Sequence, residues 1–229
     1  MTEMKKNVEF YKKFVKYGMG AWAVGWNPVA QRLTHRAMMK HVNFGGASVL
    51  DLGCGDGELL FNCVIDGQVP RMYVGVDLIP ELVETAQKRF EKLCSVQTKF
   101  IAGEMLGVVR SFDDESYDYV VSAGVLDIME TNSLEHWRYM KTVIDEMYRV
   151  CSKAFVLAIQ SAGAKEKKMN EFYSDPSWFI REMIERFGFN VVLDHSFAPH
   201  YMVVVVNKRD FPWRELNAPM YNAPERRDG

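Results

Sequence analysis

The chain has little of what would tie it to several large protein classes. It holds only four cysteines in 229 residues, at 54, 63, 94 and 151, and no two stand at C-x-x-C spacing. That spacing would be needed for a zinc or redox site, and a chain this long needs no disulfide staples. No apolar run is long enough to cross a bilayer; Tyr201–Val206 is among the longest. The first residues lead into lysines rather than an apolar stretch, so no secretory signal is read. Net charge is only −2, which does not announce a nucleic-acid binder. With 48% apolar and 25% charged residues, the expectation is one soluble globular domain in a reducing cytoplasm, with no membrane partner.

The charge is unevenly spread. Residues 1–40 carry eight lysines and arginines against Glu3 and Glu9, and the remainder is net acidic. Such a segment attracts an anionic substrate or forms a solvated helix face.

From residue 48 onward short β-branched runs alternate with helical patterns. Strands are expected at Ser48–Leu52, Met72–Asp77, Thr98–Ala102, Tyr117–Val121, Ala154–Ile159, Asn190–Leu193 and Met202–Val206. Apolar stripes at helical spacing follow Pro80, run from Leu134 to Cys151, and run from Phe179 to Phe187 before Gly188. This alternation predicts an α/β three-layer sandwich around a seven-stranded, mostly parallel sheet. About eight residues separate the last two strands, too few for a helical crossover, so the last strand must be antiparallel.

Residues 1–44 read as an N-terminal helical cap broken by Gly18, Gly20, Gly25 and Pro28. Residues 45–208 form the main domain, and 209–229 an extended or disordered tail in which Trp213 is the one docking point. Tyr17, Trp22 and Trp26 lie among glycines and suit either a lid over a site or a packed cap.

The strongest signal is Val49-Leu-Asp51-Leu-Gly53-Cys-Gly55-Asp-Gly57-Glu58. A strand ends in an acid, runs into glycines at every second position, and leads into a helix. Glycines serve where backbone approaches a ligand closely, and a helix N-terminus offers free N–H groups, so a nucleotide-like ligand is expected at this strand's carboxyl end. Glu58 stands where a dinucleotide fingerprint needs its third glycine, and no G-K-[ST] is present. An Asp before the loop repels pyrophosphate but suits a ligand with an ammonium and a sulfonium. Asp77, at the end of the second strand, suits ribose hydroxyls. Cys54 reads as a small buried thiol or a reactive one.

These residues resemble class I S-adenosylmethionine-dependent methyltransferases. Asp51-Leu-Gly-Cys-Gly-Asp-Gly is similar to their first motif. Gly75-Val-Asp77 with Pro80-Glu-Leu-Val-Glu-Thr-Ala is similar to their second strand and helix, and Phe112-Asp-Asp-Glu-Ser-Tyr-Asp118 to the approach to their fourth strand. The resemblance covers roughly residues 45–207. It implies S-adenosylmethionine as cofactor, held by Asp51, Gly53, Gly55, Gly57, Asp77, Leu78, Glu104 and Ala123. In that set Asp51 would orient the amino group and Asp77 the ribose. Glu104 stands where the family often has an Asp on the adenine amine, and a solvated charge is the competing role.

Methyl transfer needs alignment of the acceptor, and a base only if the acceptor must first lose a proton. Neither a metal site nor a catalytic triad is visible. The fourth strand ends Ser122-Ala-Gly-Val, not [DNS]-P-P-[YFW], and no Pro-Cys pair occurs, so nucleic-acid methylation is demoted. Loops at the carboxyl edge offer Asp127 and Glu130 after strand four, and His195, His200 and Tyr201 before the last strand. His195, Asp127 and Tyr201 are the candidate catalytic residues, although the histidines equally suit a tight loop. Methyl transfer to N or O of a small-molecule acceptor, with an anionic one favoured by the basic segment, leads the expectations. A catalytically inactive binding or scaffold protein of the same fold, RNA or protein methylation, and aminopropyl transfer follow.

Overall fold

A computed structural model describes residues 12–13, 19–129 and 132–208 of the chain. Trp213, Tyr17 and Glu130, named above, lie outside the described residues.

A 3-10 turn at Ala21–Val24 precedes α1 (Pro28–His41). Then follow β1 (Ser48–Leu52), α2 (Glu58–Ile65), β2 (Met72–Asp77), α3 (Pro80–Phe90), β3 (Gln97–Ala102), α4 (Met105–Val109) and β4 (Tyr117–Ala123). A second 3-10 turn at Val125–Asp127 leads to α5 (Ser133–Val150), β5 (Cys151–Gln160), α6 (Pro176–Phe187), β6 (Val191–Asp194) and β7 (Tyr201–Asn207). The sheet order is β3-β2-β1-β4-β5-β7-β6. β7 inserts between β5 and β6, antiparallel to both, and the remaining pairs are parallel. The short loop before β7 forces this reversal, as chain length alone requires.

The helices start and stop where local chemistry dictates. Asn27 caps α1 by accepting from Val29 and Ala30 N–H, and Pro28 occupies the first turn, where its missing N–H is harmless. Asn132 and Asp175 cap α5 and α6 in the same way. Alternate residues of the central strands serve two cores. Val49, Tyr73, Val121, Val156 and Val203 pack with α1, α2 and α3. Leu50, Val74, Val120, Phe155 and Val204 pack with α4, α5 and α6. Every residue of β1 is buried, as expected for a central parallel strand covered on both faces.

Asp118, the second residue of β4, has a structural position. It accepts from Ser48 N–H at 2.8 Å and Ser48 Oγ at 3.0 Å, and pairs with Lys153 at 2.9 Å, tying β4 to β1 and β5. Although partial burial opposes ionisation, these donors hold its carboxyl down at about 2. Among the described residues, no helix is long and apolar enough to cross a membrane.

Candidate functional site

The parallel strands end together at one edge of the sheet, and the divergence of the β1 and β4 connections opens a crevice there. A cavity of about 500 Å³ occupies it. The glycine loop after β1 forms its floor. Gly53 and Cys54 donate their N–H groups to Val76 O at 2.8 and 3.0 Å, so the loop folds back over the end of β2. Gly53 has φ +85°, and a Cβ there would stand 2.7 Å from the Val125 side chain; only glycine fits. Asp77 fastens the same loop, accepting from Gly55 N–H at 2.8 Å and from Ile79 N–H at 2.9 Å. Burial raises its carboxyl pKa.

Asp51, Gly53, Gly55, Asp77, Leu78, Glu104 and Ala123 all contribute to the cavity wall; Gly57 does not, and instead stands at the N-cap of α2. Asp51 is 3% exposed and accepts from the Tyr73 hydroxyl. Burial pushes its carboxyl up to about 7, against the Tyr73 hydrogen bond and with help from the charge of Asp77. Glu104 caps α4, accepting from Leu106 N–H at 2.9 Å and Gly107 N–H at 2.7 Å, and takes the Tyr139 hydroxyl at 2.8 Å. Cys54 is buried, and burial pushes its thiol far up, which makes it a poor nucleophile.

The N-terminal segment roofs the cavity. The Trp26 indole lies on Gly124, where φ is +75° and a Cβ would collide with the ring. Trp26 also meets the Tyr201 ring edge-on, with centroids 5.0 Å apart. Val24 packs over Gly55. From α1, Gln31 and His35 stand one turn apart and both face the cavity. Arg32 donates to Asn62 Oδ1 at 2.5 Å, which leaves the Asn62 amide NH₂ facing His35 Nδ1 at 2.7 Å. His35 Nδ1 is therefore the acceptor and Nε2–H the donor. Burial, helped by the Arg32 charge, holds this ring neutral with its pKa at about 3. On the opposite wall His136 donates Nε2–H to Leu126 O at 2.8 Å, leaving Nδ1 with a lone pair, and burial lowers its pKa. The sequence reading had not singled out His35 or His136, because each sits on an apolar-stripe helix and only the tertiary fold turns it to the cavity. Among the described residues, no group of three His, Cys, Asp or Glu is placed to hold a metal ion.

The candidate acceptor-side residues fall elsewhere. Asp127 and Tyr201 form a buried hydrogen-bonded pair, and Asp127 also accepts from Gln160 N–H at 2.8 Å. Burial pushes the Asp127 carboxyl up to about 7 against these two donors. The pair sits behind Trp26, and neither residue contributes to the cavity wall. His195 lies beside Gly163, also outside the wall, with Nε2 buried and unpartnered among the described residues. His200 is exposed.

Fold and crevice together define a class I methyltransferase architecture. A family model described as a methyltransferase domain matches residues 43–196, more than half the chain, and the chain belongs to that family. It is 25% identical to the methyltransferase-named protein Rv1506c of Mycobacterium tuberculosis, over 70% of this chain and 93% of that one. Its fold is similar to that of a SAM-dependent methyltransferase from Aquifex aeolicus (TM-score 0.57, 16% identity, 87% of this chain and 98% of that one). It is likewise similar to the methyltransferase domain of bacterial CtHen1 (TM-score 0.55, 20% identity, 79% and 100%). The family's cofactor is S-adenosylmethionine, and the residues present fit it. Gly53 and Gly55 present side-chain-free backbone to the cavity, and Asp51 and Asp77, near the ends of the first two strands, line it beside them.

Proposed function

We propose that the protein transfers a methyl group from S-adenosylmethionine to N or O of a small-molecule acceptor. Bound cofactor supplies a methyl on a cationic sulfur, already activated for displacement. Asp77 would hold the ribose hydroxyls, Asp51 the ammonium, and the neutral donors of Gln31 and His35 the carboxylate. Leu78 and Ala123 would pack against the cofactor, and Glu104, while capping α4, would border the adenine. Asp127 and Tyr201 would support the roof through the Tyr201–Trp26 contact, and His195 would accept a proton only if the hairpin approached the acceptor.

The observation that carries the small-molecule reading is the roof. Val24 and Trp26 pack over Gly55 and Gly124 at the end of β4, which favours an acceptor small enough to pass beside them. A scaffold protein of this fold would not need this acid-lined cavity. The test is transfer of labelled methyl from the cofactor to a panel of small amines, phenols and carboxylates, with bulk tRNA and protein extract in parallel. Label in small products supports the reading; label confined to RNA or protein overturns it.

A further inference from the structure

Asp56, inside the glycine loop, is 1% exposed and borders the cavity. Its Oδ2 accepts from Gly20 N–H in the roof segment at 2.5 Å and from Arg89 at 3.4 Å. Its Oδ1 is buried and has no hydrogen-bond partner among the described residues. Arg89 does not neutralise it closely, because its shorter bond goes to Glu58 at 2.8 Å. A buried carboxylate oxygen without a donor is destabilising, and its persistence at a cavity wall points to a donor supplied by whatever fills the cavity.

We infer that Asp56 is a positioning residue that latches the roof to the cofactor: one oxygen holds Gly20, the other takes a hydrogen-bond donor of the bound cofactor. This rests on the cofactor reading above and adds a coupling to it. The donors available on that ligand are the ribose hydroxyls and the amino-acid ammonium. Asp77 accepts from the N–H of Gly55, the residue before Asp56, at 2.8 Å, and both carboxylate residues border the cavity. Filling Oδ1 also fixes the carboxylate plane, which favours the Gly20 bond. Cofactor binding and roof closure therefore strengthen each other, reciprocally.

The test combines calorimetric titration with hydrogen exchange of peptides spanning residues 19–26. The ligands are S-adenosylhomocysteine and 5′-methylthioadenosine, which keeps the ribose but lacks the amino acid. Asp56→Asn retains an acceptor for Gly20 N–H but puts an NH₂ in place of the unpartnered Oδ1. The expected result is roof protection like wild type without ligand, affinity for S-adenosylhomocysteine lower by about tenfold, and loss of the extra protection that ligand gives wild type. Asp56→Ala is expected to lose roof protection even without ligand. If methylthioadenosine shows the same discrimination between wild type and Asp56→Asn, the donor is the ribose; if it shows none, the ammonium. Asp56→Asn binding S-adenosylhomocysteine within about twofold of wild type, with full ligand-induced protection, overturns the latch. Wild type binding neither ligand would instead overturn the cofactor reading.

Discussion

Replacing Asp51 by Asn should make the protein more stable and a poorer cofactor binder, and the stability gain should depend on pH. Asp51 is fully enclosed at the end of β1, and burial lifts its carboxyl from 3.8 to about 7. In the unfolded chain the same group ionises near its ordinary value. Between these two values the folded protein holds a proton that the unfolded chain has already lost. Stability from this group is therefore intact below about pH 4, declines by up to about 1.4 kcal/mol per pH unit as pH rises, and is fully lost above about pH 7. The whole span amounts to an upper bound of about 4 kcal/mol. Asn cannot ionise and still offers Tyr73 an acceptor, so the variant lacks this decline. Urea unfolding of both proteins between about pH 4 and pH 8 checks it: the curves should converge at the acid end and separate toward neutrality, with the variant more stable. Curves that run parallel across the range would refute the reasoning. The same variant should bind S-adenosylmethionine about tenfold more weakly at pH 8, where wild-type Asp51 is charged, and the gap should shrink at about pH 6.

Gly53→Ala places a side chain in a left-handed conformation and against Val125, so it should cost at least about 2 kcal/mol in urea unfolding and weaken cofactor binding together. Tyr201→Phe strips Asp127 of its hydroxyl donor inside the fold and should destabilise by about 1–3 kcal/mol, with the loss read from the thermal midpoint. Asp118→Asn should cost about 2 kcal/mol near neutral pH. Because the wild-type carboxyl is held at about 2, that difference should fade as pH drops from about 4 toward 2, which acid titration of both proteins would show.

Much of the cavity wall was legible in the sequence because its residues sit within a few positions of strand ends, and strand ends in a parallel sheet share one edge. Asp51, Gly53, Gly55 and Asp77 are of this kind. β4 runs two residues past the expected Val121 to Ala123, and Ala123 lines the cavity. α4 was not anticipated: five residues hold no periodicity, and its one signal is the capping Glu104. The acceptor side was less legible. The Asp127–Tyr201 pair joins residues 74 apart in sequence, brought together only when β7 inserts beside β5. Asp56, His35 and His136 were equally silent, since the partners of each come from other elements. A tautomer set by Arg32 through Asn62 has no local sequence trace.

The central claim is that the crevice at the ends of β1 and β2 binds S-adenosylmethionine through Asp77 and the glycine loop. Calorimetric titration of S-adenosylmethionine and S-adenosylhomocysteine into wild type and Asp77→Ala tests it most directly, with thermal melting to establish that the variant is folded. The account predicts micromolar binding by wild type and a loss of about hundredfold or more in the folded variant. No binding by wild type, or equal binding by both proteins, would contradict it.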